Sequence, residues 1–312
     1  MTIPHRDNRL KAILCVLSGV GLASGQDAIV KVMSSGYPAY ETLMFRCVGS
    51  VPVLVALLWY QGALGKLMTP HWRRVVLRGV ILGLAYLCFV LAIAAMPIAD
   101  AVAIYFTMPF FVAGLAGPML GEHVRIHRWL AIIAGFVGVI IMVRPGATVF
   151  EPASIFALLS AFGYATGQMI SRPISHLVQP VIIATWQNGI YFIIGLGLAI
   201  LFNFGIVGDY SHPSLVFLSR SFVMPSVIDA AILLAHGVLA GSAMMFYVNA
   251  YKYGEANFVA PFEYSAMIWA VLYGLTLFGH FPGIHTLTGA AIVIAAGIMM
   301  IWRDRILDRS TG

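Results

Sequence analysis

Charged residues are scarce in this chain. Asp, Glu, Lys and Arg make up 10% of its 312 residues, whereas apolar residues make up 61% and the mean hydropathy is +0.92. Soluble domains usually carry about 25% charged residues. The deficit excludes an ordinary soluble domain and indicates an integral membrane protein.

Cysteine is also rare, with Cys15, Cys47 and Cys88 all inside apolar runs. This placement argues against a disulfide framework, since such frameworks belong to small exported domains. Metal-ligand spacing is approached only at His123 and His127 beside Glu122, which we interpret as a solvated loop. We therefore expect neither a cofactor nor a metal.

The apolar residues fall into runs long enough to cross a bilayer, for which a helix needs about 20 residues. We expect an all-α polytopic membrane protein with ten transmembrane helices. The predicted spans are 11–32, 39–60, 75–95, 98–119, 127–143, 153–171, 180–203, 227–250, 256–278 and 285–302.

The net charge of +6 has a topological explanation. With ten spans, fourteen of the 18 Lys and Arg residues fall on one side, Arg46 falls inside the membrane, and only Lys31, Arg144 and Arg220 fall on the other side. This bias predicts a bacterial inner-membrane protein with both termini in the cytoplasm. It requires no nucleic-acid partner.

A repeated motif shows that the chain is duplicated. Residues 17–26 match residues 159–168 at six of ten positions, and the same offset of 142 pairs Pro38 with Pro180 and Arg46 with Asn188. An offset of 157 pairs spans 4 and 9. We expect two repeats, 1–150 and 151–312, of five spans each. Because five is odd, the second repeat should be inverted, as in many transporters.

Ionisable groups inside apolar spans are costly and are functional candidates. Asp27, Arg46, Asp100 and Glu263 are of this kind. Glu263 is our candidate for proton coupling, because its counterpart in the first repeat is Phe106. The alternative is that these groups form structural ion pairs.

Prolines interrupt the repeat-related spans 4 and 9 at Pro109 and Pro261, and we expect these broken spans to border a substrate cavity. Aromatic and amide side chains there and in spans 6 to 8 could bind a ligand or simply pack helices together. The predicted substrate-binding residues are Gln26, Asp27, Arg46, Tyr86, Asp100, Thr107, Phe110, Gln168, Asn188, Asn249, Tyr264 and Trp269.

Several segments resemble the EamA family of the drug/metabolite transporter superfamily. They are Lys31 with Arg172, Arg46, residues 94–101 leading into 106–109, residues 120–123, and Trp129 to Gly146. The resemblance implies a ten-helix inverted-repeat fold with alternating access to a central cavity. The first span, with Asp27-Ala28 before Lys31, most resembles that of the uptake permeases for S-adenosylmethionine and riboflavin.

We therefore expect a secondary transporter of a small organic metabolite, not an enzyme, with uptake of a planar vitamin-type compound such as riboflavin favoured. The alternatives are an exporter of amino acids, drugs or other metabolites and, more remotely, a membrane-embedded enzyme. Spans 5 and 10, which are apolar and contain pairs of glycines, are interpreted as scaffold; the alternative is a homodimer face.

Overall fold

The computed structural model describes residues 9–120, 126–143, 151–175, 177–204, 210–253, 259 and 262–310. Within these ranges every regular element is a helix, which confirms the all-α class. The helices are α1 Arg9–Met33, α2 Ala39–Tyr60, the 3₁₀ turn η1 Leu64–Lys66, α3 Trp72–Ala95, α4 Ile98–Tyr105, α5 Met108–Leu120, α6 Ile126–Val143, α7 Ala153–Ser175, α8 Pro180–Phe204, α9 Pro213–Ser219, α10 Val227–Tyr253, α11 Ala266–Phe278 and α12 Ile284–Ser310.

Seven helical segments are long and apolar enough to cross a membrane: Leu10–Met33, Ala39–Tyr60, Trp72–Ala95, Ile98–Leu115, Ala153–Ser171, Pro180–Phe204 and Val227–Tyr247. Three shorter apolar helices overlap the remaining expected spans: Trp129–Val143, Ala266–Phe278 and Ile284–Met299. The chain is therefore a multi-pass membrane protein. The count of ten crossings stays a prediction.

The fourth predicted span is two helices rather than one kinked helix. α4 ends at Tyr105 and α5 begins at Met108, with Phe106 and Thr107 in a turn between them. Thr107 Oγ1 donates a hydrogen bond to the Ile104 carbonyl at 2.8 Å. Pro109 lies in the first turn of α5, where a missing N–H needs no helical partner. A similar turn at Tyr264 and Ser265 precedes α11.

The helices pack in corresponding pairs. α1 packs on α10 as α7 packs on α3, and α2 packs on α10 as α8 packs on α3. α2 also packs on α8, and α6 on α12. The approach of α10 to α2 is so close at Gly237 that a Cβ there would meet the backbone of Arg46, Gly49 and Ser50.

One end of the bundle, which we call the α9 end, is tied by polar contacts to main-chain carbonyls. Lys31 Nζ donates to the carbonyls of Ala94 at 3.2 Å and Met96 at 3.0 Å, so the last turns of α1 and α3 are adjacent. Ser214 Oγ, on α9, donates to the Leu91 carbonyl at 2.7 Å. α9 therefore lies against the end of α3.

The opposite end, which we call the η1 end, contains a cluster of apolar side chains. The cluster there joins the end of α2, the start of α3, the end of α7 and the start of α8, and includes Leu58, Val75, Ile174 and Val181. Trp186 Nε1 donates to the Leu67 carbonyl at 2.8 Å, which fixes the segment after η1 against α8.

Candidate functional site

A cavity of about 490 Å³ lies between α1, α2, α3, α7, α8 and α10. It extends from Arg46, in the interior of α2, to Ser171 and Pro180 at the η1 end. Its polar lining consists of Gln26, Arg46, Ser50, Arg78, Tyr164, Gln168, Ser171, Gln187, Asn188, Tyr191 and Tyr247. Both sequence repeats contribute to this wall.

Arg46 is held between aromatic rings. Its guanidinium lies 4.8 Å from the ring centre of Tyr86 and 5.5 Å from that of Tyr191, and its Nε donates to Gln26 Oε1 at 3.4 Å. Asp27 lies close enough to attract it electrostatically. Cation–π contacts of this kind contribute about 2 kcal/mol when they are desolvated. The cation is therefore fixed in the cavity wall.

Arg78 presents a second guanidinium to the cavity. Its Nη1 donates to Gln187 Oε1 at 2.7 Å, and its Nε contacts Ser171 Oγ. Gln187 Nε2 in turn donates to the Tyr191 hydroxyl at 3.0 Å, so a chain of contacts links Arg78 to the ring under Arg46. In the sequence Arg78 is one of the fourteen cations assigned to one side of the membrane. The available signal was its position inside the apolar run 75–95.

Amide side chains complete the wall. Asn188, the repeat counterpart of Arg46, accepts from Ser50 Oγ at 2.8 Å and donates from Nδ2 to the Cys47 carbonyl at 3.0 Å. Gln26 and Gln168, the paired residues of the duplicated motif, line the cavity from α1 and α7. Of the predicted binding residues, the structure thus brings Gln26, Arg46, Gln168 and Asn188 together.

Asp27 and Glu263 lie near this wall. Asp27 acts electrostatically on Tyr105 and Tyr247, and Glu263 acts on the same two tyrosines and on Tyr264. Tyr247 is part of the cavity lining. The two acids are therefore close to the same aromatic side chains, although they come from opposite halves of the chain.

Other predicted residues lie in helix packing. Tyr86 is beneath Arg46, and its hydroxyl lies 3.2 Å from His236 Nε2. Thr107 and Phe110 are fully buried at the break between α4 and α5. Phe110 packs closely against Gly135. These side chains shape the bundle but do not contact the cavity.

The predicted residues of the last spans and Asp100 also lie elsewhere. Tyr264 contacts Phe106, with ring centres 5.0 Å apart, and Trp269 stacks on Tyr273 at 6.0 Å. Asp100 lies near Thr286 and His280. Asn249 belongs to α10 outside the cavity lining.

Two motifs from the sequence, Pro261 and the Glu122-His123 pair, lie outside the described residues. In the part of the chain that the structure describes, no group of three His, Cys, Asp or Glu side chains could hold a metal ion.

The apolar helices with a polar cavity between them define a membrane carrier for small molecules. The chain belongs to the EamA-like transporter family, whose model matches residues 10–144 and again 152–303.

Several relatives carry transporter names. An S-adenosylmethionine uptake transporter of Rickettsia conorii is 25% identical over 94% of this chain and 96% of its own length. A riboflavin transporter of Rhizobium johnstonii is 29% identical over 76% of this chain and 72% of its own length. A pseudopaline exporter of Pseudomonas aeruginosa is 26% identical over 89% of this chain and 91% of its own length.

A solved crystal structure shares the fold, with a TM-score of 0.61 over 96% of this chain and 99% of that chain, at 18% identity. Family and relatives together identify the protein as a membrane transporter of small metabolites.

Proposed function

We propose that the protein is a secondary transporter of a planar organic metabolite and that the cavity is its substrate site. The observation that carries the proposal is the cavity itself. Arginine, amide and tyrosine side chains are gathered inside an apolar helix bundle, where burying them is costly unless they bind something. Enclosure by six helices suits a small molecule rather than a macromolecule.

The two halves, 1–150 and 151–312, act in this proposal as inverted repeats that rock against each other. The corresponding helix pairs, α1 on α10 and α7 on α3, support it, as does the double match of the family model. If both termini are cytoplasmic, as the charge distribution predicts, the η1 end faces the cytoplasm of a bacterial cell. The protein would then lie in the inner membrane. Substrate then reaches the cavity alternately from the two sides.

Riboflavin uptake is the first candidate activity. Tyr164, Tyr191 and Tyr247 offer rings on which a flat heterocycle can stack, while Gln168 and Gln187 can hydrogen-bond to carbonyl and imide groups. The riboflavin transporter among the relatives supports this reading.

S-adenosylmethionine uptake is the second candidate, and Arg78 favours it. Both hydrogen-bond partners of its guanidinium are neutral, so its charge is available to a substrate carboxylate. The adenine ring could occupy the same tyrosines. The relative from Rickettsia conorii supports this alternative.

The direct test is transport in vesicles of both orientations from cells that express the protein, with labelled riboflavin, S-adenosylmethionine and amino acids and with an imposed pH gradient. Accumulation in right-side-out vesicles supports uptake. Accumulation only in inverted vesicles would overturn uptake and leave export, the direction named for the pseudopaline relative.

A further inference from the structure

Two buried polar side chains near Arg46, Glu41 and His236, each have one atom without a hydrogen-bond partner in the part of the chain that the structure describes. Glu41 is 1% exposed and His236 is fully buried, yet among the described residues Glu41 Oε1 and His236 Nδ1 have no hydrogen-bond partner. Leaving such a buried polar atom without a partner is energetically unfavourable. Neither residue lines the cavity, so the site described above does not account for them.

The repeat symmetry pairs these residues with residues that line the cavity in the other half of the chain. The offset of 142 places Glu41 on Ile183 and Thr42 on Ala184, and both counterparts line the cavity. The helices α3 and α10 are repeat counterparts, and a pair of glycines shows how they align. Gly79 of α3 packs on α8, and Gly237 of α10 packs on α2, the counterpart of α8.

That glycine pairing has an offset of 158, and Gly83 with Gly241 repeats it: Gly83 also packs on α8 and Gly241 also packs on α2. The same offset places His236 on Arg78, which lines the cavity. Glu41 and His236 therefore both occupy positions whose counterparts in the other half of the molecule line the cavity.

The central residues map onto one another. Gln26 pairs with Gln168 and Arg46 with Asn188, and all four line the present cavity. If the halves exchange conformations, these four residues remain at the site while the surrounding wall changes. The wall at the α9 end would then contain Glu41, Thr42 and His236 in place of Ile183, Ala184 and Arg78.

We propose that Glu41 and His236 line a second substrate chamber, closed in this conformation, that opens at the α9 end and binds an N–H donor group of the substrate. The proposal rests on the transport function proposed above. Glu41 can contribute carboxyl oxygens and His236 an unprotonated ring nitrogen, and both kinds of atom accept hydrogen bonds. Arg78 at the η1 end donates them, so the two chambers favour opposite ends of one substrate.

Specific contacts keep the α9 end closed. Glu41 Oε2 accepts from the Val223 amide at 3.3 Å, and the Tyr37 hydroxyl donates to Asp229 Oδ2 at 2.6 Å. Arg220 Nη1 donates to the Ser34 carbonyl at 3.2 Å. These contacts join the α1–α2 connection to the segment around α9 and the start of α10. They must break for the chamber to open.

Matched single-cysteine variants test the chamber. In a transport-active variant without Cys15, Cys47 and Cys88, Thr42→Cys and its counterpart Ala184→Cys are exposed to a membrane-impermeant maleimide. The reagent is applied from each side, at rest and during substrate exchange. Phe45→Cys, whose counterpart Gln187 lines the cavity, replaces Thr42→Cys if that variant does not fold. Val48→Cys, at an α2 position that is 51% exposed and outside the cavity lining, is the control.

The proposal predicts that Ala184→Cys reacts only from the η1 side and that Thr42→Cys reacts only from the α9 side, with labelling of Thr42→Cys rising at least fivefold during exchange. Val48→Cys should not change. If exchange proceeds and the α2 cysteines never react from the α9 side, the chamber is overturned while transport stands. If wild-type protein exchanges none of the candidate substrates, the proposed function itself fails.

Discussion

At the residue scale, Arg78 is the cavity side chain whose chemistry most constrains the substrate. Its guanidinium contacts the neutral groups of Ser171 and Gln187, whereas Arg46 is already stacked on two tyrosines and attracted by Asp27. A substrate carboxylate would therefore meet Arg78 at lower cost, because no acidic residue in the described part of the chain forms an ion pair with it.

Replacing Arg78 separates the two candidate substrates. Arg78→Gln should weaken S-adenosylmethionine binding about tenfold to a hundredfold, since a charge-assisted hydrogen bond contributes about 1.5–3 kcal/mol. Riboflavin has no carboxylate, so its binding affinity should fall less than threefold. Equilibrium binding of labelled ligand to purified protein measures both, with Arg73→Gln as the control, because Arg73 is exposed beside Trp72. Equal losses for the two ligands would remove Arg78 from carboxylate recognition.

Glu263 is the residue through which we expect a proton gradient to act, because it belongs to a predicted membrane span and acts electrostatically on Tyr247 of the cavity wall. Glu263→Gln cannot exchange a proton and should abolish the dependence of uptake on a pH gradient. Substrate exchange without a gradient should persist, and it serves as the control for folding. Unchanged gradient dependence would exclude Glu263 from coupling.

Part of the site was predictable residue by residue. A polar or charged side chain in an apolar span is expensive wherever it points, so Gln26, Arg46, Gln168 and Asn188 could be found from the sequence. The position of a residue along an apolar span does not show whether its side chain points into the cavity or against a neighbouring helix. Thr107 and Trp269 share the polarity or aromaticity of ligand contacts yet pack between helices. Arg78 was missed because it lies near a helix end.

At the scale of elements, the contact between α2 and α10 positions the cavity. It brings the backbone around Arg46 against Gly237, and at the corresponding Gly79 of α3 the neighbour on α8 is the side chain of Ile190. The break between α4 and α5 was foreseeable only in part. Pro109 marks the region, but proline is tolerated in a first turn, so the interruption falls at Phe106 and Thr107.

Filling the close contact at Gly237 should destabilise the bundle. Gly237→Ala places a methyl group against the backbone of Arg46, Gly49 and Ser50, which cannot move aside as a flexible side chain could. We expect a loss of about 1–3 kcal/mol in unfolding free energy. Thermal unfolding in detergent measures the effect. Gly197→Ala, which has open space around its Cβ position, is the matched control and should be unchanged. A similar melting temperature for both variants would contradict the close packing.

At the scale of the whole molecule, both the symmetry and the asymmetry of the bundle are consistent with the predicted duplication. Matching residues build corresponding helix contacts. Arg46 and Asn188, a pair at which the copies differ, both line the cavity. Composition and repeat spacing predicted the helical membrane fold, since both depend on local apolar patterns. The polar chain from Arg78 through Gln187 and Tyr191 depends on tertiary packing and could not be predicted in that way.

The central claim is that substrate crosses the membrane through the cavity between the two halves. Counterflow of labelled riboflavin and S-adenosylmethionine in proteoliposomes tests it most directly, using Ala184→Trp to fill the cavity and Ile193→Trp, 66% exposed on the outside of the same helix, as the control. We predict that wild-type protein and the control exchange at least one of these compounds and that Ala184→Trp loses more than nine-tenths of that exchange. Undiminished exchange by folded Ala184→Trp would contradict the account.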